Sequence, residues 1–165
     1  MLETEAPLLA VAIAQRPPRG HGAPVEHALV EVAVEPVARL DGARDRAKIL
    51  GALDSAAQAE GRAAYKHDED VAKAVQQFAD EVCRGGVRPN QMKLLVDKAR
   101  GIGEKYKSWG TPVWRAGYDY TRWQEASVLA KAKEAPLSYA EAGVCQGNLA
   151  GKPGGSYVVV IQYGP

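Results

Sequence analysis

The stretch Tyr157-Val158-Val159-Val160-Ile161-Gln162-Tyr163 decides the fold. Its successive β-branched residues favour a strand, because a stiff χ1 suits the pleated backbone. The run shows almost no polar alternation, so it reads as a central strand covered on both faces. Such a strand needs helices on both sides of its sheet. The expected class is α/β, with three layers arranged as an α-β-α sandwich.

Working outward, Ala142 to Gln146 reads as a neighbouring strand, and Gly147 to Gly155 as a flexible loop. Residues 122 to 134 read as a helix ended by Pro136, whose ring cannot continue it. Residues 101 to 121, rich in Gly, Trp and Tyr, read as irregular. Upstream, Gln91 to about Gly101 places Met92, Leu95, Val96 and Ala99 on one helical face. Val71, Val75, Phe78 and Val82 mark a clearer helix, with Asp68 as its N-cap and Gly85-Gly86 as its stop. Asp41 caps an earlier helix that carries Ile49, Leu53, Ala56 and Ala57 and stops at Gly61. Before it, Val30, Val32 and Val34 alternate with Glu31, Ala33 and Glu35, a half-exposed strand that Pro36 ends. Residues 1 to 40 are therefore an N-terminal extension with room for one added strand, and 41 to 165 form the domain proper.

Composition excludes several classes. The chain has 165 residues, 46% hydrophobic and 25% charged, which is too apolar for disorder and suits one buried core. A net charge of +1 gives no general pull towards nucleic acid or anionic membrane. The apolar run Pro7 to Ala14 is too short to span a bilayer, so the chain is expected not to be transmembrane. Glu3 and Glu5 precede it, where a secretory signal carries positive charge. The chain is thus either not exported by that route or already processed. Cys83 and Cys145 do not have zinc-motif spacing; they are two buried free thiols or one disulfide.

Several of these segments, taken in order, resemble the CAP superfamily of cysteine-rich secretory, antigen 5 and pathogenesis-related proteins. That family's first helix carries His-Asn-x-x-Arg-x-x-x-Gly, where this chain reads Leu53-Asp54-Ser55-Ala56-Ala57-Gln58-Ala59-Glu60-Gly61. Its Leu-x-Trp-Asp-x-x-Leu segment is similar to Tyr65-Lys66-His67-Asp68-Glu69-Asp70-Val71, and its Ala/Gln-rich helix to Ala72 through Asp80. Gly103-Glu104-Lys105 stands where the family has Gly-Glu-Asn. Glu141-Ala142-Gly143-Val144-Cys145 and Tyr157 to Pro165 resemble its last two strands. The resemblance implies the CAP-type sandwich and a secreted or periplasmic location. It also implies a scaffold without the family's cleft metal chemistry. Leu53 replaces the first histidine, no histidine follows His67, and Glu104 lacks its usual partner.

The remaining chemistry is sparse. His67-Asp68 could pair a base with a carboxylate, but adjacent residues rarely address one proton, and Asp68 is better used as a cap. His21 and His27 lie in or near a Pro/Gly-rich segment, unsuited to a fixed metal site. Gly101-Ile-Gly103 follows a helix, whereas a phosphate cradle follows a strand. No serine sits in a nucleophile elbow. The most distinctive feature is an aromatic and basic band from Lys105 to Trp123. From it Trp109, Trp114, Arg115, Tyr118 and Tyr120 are the candidate ligand- or partner-binding residues, since Trp, Tyr and Arg are enriched in interfaces. The same rings would serve equally to pack a long loop over the core. No catalytic residue, metal ligand or cofactor is assigned. The expected function is a non-enzymatic binding or structural module, a protein-interaction subunit of a larger assembly. The alternatives are a secreted lipid- or glycan-binding protein and, behind it, a divergent hydrolase.

Overall fold

The computed structural model describes residues 8–16, 26–34, 39–117, 137–149 and 152–165. The chain divides into two compact units, Met1–Ala38 and Arg39–Pro165. In the first, β1 (Leu8–Arg16) pairs antiparallel with β2 (Glu26–Val34), from Leu8↔Val34 to Arg16↔Glu26. The expected single strand is thus one half of a hairpin. The run Leu8-Leu-Ala-Val-Ala-Ile-Ala lacks polar alternation and gave no strand period to read.

In the second unit three helices precede the sheet: α1 (Gly42–Ala59), α2 (Glu69–Cys83) and α3 (Met92–Ile102). Their caps are local and match the residue chemistry. The Asp41 side chain accepts from the Arg44 N–H, while buried Asp45 reaches back to the Asp41 N–H at 2.8 Å. Asp68 accepts from the Asp70 and Val71 N–H groups at the start of α2. Gly61 and Gly85 take positive φ after α1 and α2, a conformation that favours glycine.

The sheet consists of β3 (Ser108–Trp109), β4 (Val113–Gly117), β5 (Tyr139–Leu149) and β6 (Lys152–Gly164). All pairings are antiparallel. β3 and β4 pair with β6, and β5 also pairs with β6. Every residue from Tyr157 to Tyr163 is buried, as expected of a covered central strand. Alternation along β6 explains how. Tyr157, Val159, Ile161 and Tyr163 join Val75, Phe78 and Leu95 of α2 and α3 in one apolar cluster. Val158 and Val160 join Ile49, Leu53 and Ala57 of α1 in a second. Gln162 breaks the apolar run without orphaning its amide, because Nε2 donates to the Tyr65 hydroxyl at 3.0 Å.

Three local expectations are corrected. Residues 101 to 121 are not wholly irregular, because β3 and β4 lie within them. β3 has only two residues, and β4 follows it after Gly110-Thr111-Pro112. Gly147 to Gly155 is not simply a loop, because β5 runs on to Leu149 through an irregularity at Gly147 and β6 begins at Lys152. Cys83 and Cys145 form a disulfide, with their Cα atoms 6.2 Å apart, so the free-thiol alternative falls. The end of α2 lies over the middle of β5, a contact made across 62 positions. Close approach of these two elements depends on Gly143, where a Cβ would stand 2.6 Å from the Val75 carbonyl oxygen. The helix read at 122 to 134 lies outside the described residues.

Candidate functional site

The aromatic band separates into residues with different surroundings. Trp109 is half-buried and belongs to a ring cluster centred on Tyr163. Its indole stacks on that ring at 5.0 Å and 17°, and Nε1 donates to the Tyr106 carbonyl at 3.1 Å. Tyr139 and Tyr106 complete the cluster at 5.2 and 4.6 Å from Tyr163. Trp109 is therefore a core-covering residue. Trp114, on β4, is 39% exposed and only tilts against Tyr157 at 6.1 Å. Arg115 follows it on the same strand and is half-buried. Tyr118 and Tyr120 lie outside the described residues. Of the predicted set, Trp114 and Arg115 are neighbours along β4 but face opposite sides of the sheet, opposite Val159 and Val158 of β6, and Trp109 is set apart in the ring cluster.

Sequence reasoning missed a second site, at the start of α2. The segment before the helix is held against β5, because Lys66 donates its N–H to the Ser138 carbonyl and accepts one from Ala140. This anchoring places His67 beside Glu141. His67 Nδ1 donates to the Ala140 carbonyl at 2.9 Å, since a carbonyl can only accept. The neutral ring therefore carries its proton on Nδ1 and presents Nε2 as an acceptor. Glu141 is 1% exposed. Its Oε1 accepts from the Asp68 N–H at 2.8 Å and the Tyr163 hydroxyl at 3.3 Å, and lies 3.7 Å from His67 Nδ1. Burial pushes this carboxyl above the usual carboxylate range.

The neighbouring Asp68 behaves oppositely. Lys105 at 2.7 Å and the Tyr106 hydroxyl at 2.8 Å hold it down at about 2, aided by its two helix N–H donors. Burial together with that hydrogen bond to Asp68 pushes the Tyr106 phenol up to about 12. His67, Asp68 and Glu141 line a cavity of about 390 Å³ with Arg46 and Leu50 of α1 and Glu69, Ala72 and Lys73 of α2. The volume lies at the small end of ligand sites. Both histidine and aspartate were legible in the sequence, but the carboxylate beside the imidazole is Glu141 and not the adjacent Asp68. The available signal was a single carboxylate inside the otherwise apolar Ala140-Glu141-Ala142-Gly143-Val144.

Leu53 is 1% exposed within the α1 cluster. Glu104 is exposed on the turn after α3. Among the described residues, no group of three or more His, Cys, Asp or Glu is placed to hold a metal ion, and no helix is long and apolar enough to cross a membrane. No family model, no curated protein and no solved structure matches the chain.

Proposed function

We propose that the Arg39–Pro165 unit is a non-enzymatic binding module, a degenerate α-β-α sandwich of CAP type that engages a protein partner through β4. The observation that carries this reading is the contrast between the two tryptophans. Trp109 is consumed by stacking on Tyr163, whereas Trp114 leaves 39% of its surface to solvent. An exposed tryptophan on a rigid strand is the type of anchor that dominates interfaces, because the ring loses little entropy on binding. The sandwich reading is supported by the segregation of α1 from α2 and α3 along alternate residues of β6. The non-enzymatic reading is supported by Leu53, an apolar core residue where the family carries a histidine. The disulfide favours an oxidising compartment, in keeping with a secreted or periplasmic subunit.

The test compares Trp114→Ala with the parent chain in binding to a partner isolated by native co-purification and then re-purified. Loss of an interface anchor of ~2 kcal/mol weakens binding roughly 30-fold. Undiminished binding by Trp114→Ala rejects β4 as the interface. Co-purified lipid or glycan in place of protein would move the assignment to a ligand carrier.

A further inference from the structure

Glu141 is a buried carboxylate that faces a cavity without a strong cation in ion-pair contact. Among the described residues its one ion-pair neighbour is His67, at 3.7 Å, and that nitrogen is already committed to the Ala140 carbonyl. The hydrogen bonds it receives from Asp68 N–H and the Tyr163 hydroxyl converge on Oε1. Removing a carboxylate from water without pairing it is costly, and a structure keeps one there only where something offsets the cost.

The charges facing it from each packed element are Arg46 on α1, His67 and Asp68 before α2, Glu69 and Lys73 on α2, and the Tyr163 phenol on β6. Lys73 is 3.5 Å from Asp70, and Asp68 is paired with Lys105. Arg46 acts on Glu141 only as a more distant positive charge. The acceptors left in the lining are therefore the buried Glu141 carboxylate, His67 Nε2 and the exposed Glu69 carboxylate at the rim, with Leu50 and Ala72 as an apolar wall.

We propose that this cavity binds a small molecule bearing a primary ammonium or guanidinium group, with Glu141 as its counter-ion and His67 Nε2 as a second acceptor. An aliphatic arm on that group lies against Leu50 and Ala72. This site is independent of the β4 surface. Its ligand cation favours ionised Glu141, whose carboxyl burial has pushed upwards, so binding strengthens as pH rises through that titration and releases a proton below it.

The experiment titrates the full chain with n-butylammonium and, as a control of opposite charge, butyrate. Amide spectra are followed at Asp68 and the imidazole signals at His67. A saturable shift is expected with butylammonium and none with butyrate. Glu141→Gln should weaken the amine at least tenfold and flatten its pH dependence. Leu50→Trp, which fills the cavity and keeps Glu141, should weaken it similarly. No saturable response to butylammonium in the parent chain overturns the proposal. So does equal affinity in Glu141→Gln, or butyrate binding as well as the amine. If Glu141→Gln fails to fold, undiminished binding by Leu50→Trp overturns it alone.

Discussion

The two ends of β6 are held by different physics. At the Tyr163 end, rings from β3, β5, β6 and the turn after α3 stack into one cluster, and Trp109 is spent within it. At the Tyr157 end the tie is covalent, because Cys145, the register partner of Tyr157, is bonded to Cys83 of α2. Trp114 sits on this second end and keeps much of its ring exposed. Where side-chain packing alone supplies the cohesion, aromatic residues must be buried. Where a crosslink contributes, an exposed tryptophan is compatible with a rigid strand.

The largest effect should come from cutting the crosslink. Closing 62 residues is worth ~4 kcal/mol by loop entropy, so Cys83→Ser with Cys145→Ser should lower the melting temperature by roughly 12 °C or more. A drop below about 3 °C would mean that packing holds both ends alike. Next, Trp109→Ala should cost ~3 kcal/mol, at the lower edge of large aromatic truncations because the ring is only half-buried. Denaturant unfolding measures this directly, and a near-neutral result would dissolve the ring cluster as a structural unit.

Asp68 links the start of α2 to the ring cluster through Tyr106, and its effect is smaller and pH-dependent. Its folded value of about 2 is below the ordinary 3.8. The stability it contributes is therefore fully present above pH 3.8 and is lost as pH falls through about 2. Asp68→Asn should remove that acid limb from a plot of stability against pH, and at neutral pH should weaken the helix cap by ~1 kcal/mol or less. An unchanged acid limb would show that Asp68 is not held by Lys105 and Tyr106 in solution. The effect of Trp114→Ala on stability should be comparably small. Losing a tilted contact with Tyr157 should cost ~1 kcal/mol and move the melting temperature by a few degrees at most. A collapse of the fold comparable to Trp109→Ala would erase the contrast and withdraw Trp114 from the interface.

Of the candidate sites, Trp114 and Arg115 could be named from residue type alone, but their exposure could not. Trp109 carries the same chemistry a few residues earlier and is half-buried against the core. His67 and Asp68 stood out as a pair, yet the pair divides its labour. Asp68 caps α2 and binds Lys105, and His67 faces a carboxylate 74 positions away. Nothing local to Glu141 announces an imidazole neighbour.

The sequence by itself determined what depends on near neighbours along the chain. The α2 stripe of Val71, Val75, Phe78 and Val82, the caps at Asp41 and Asp68, the stops at Gly61 and Gly85 and the buried run of β6 all follow from periodicity and backbone sterics within a few residues. Tertiary structure alone decided the Cys83–Cys145 bond, the recruitment of Ser108–Trp109 and Val113–Gly117 into strands, and the meeting of His67 with Glu141. Each of these joins residues far apart in the chain. Their energy arises only once β6 has brought both partners to one place, so no local propensity records it.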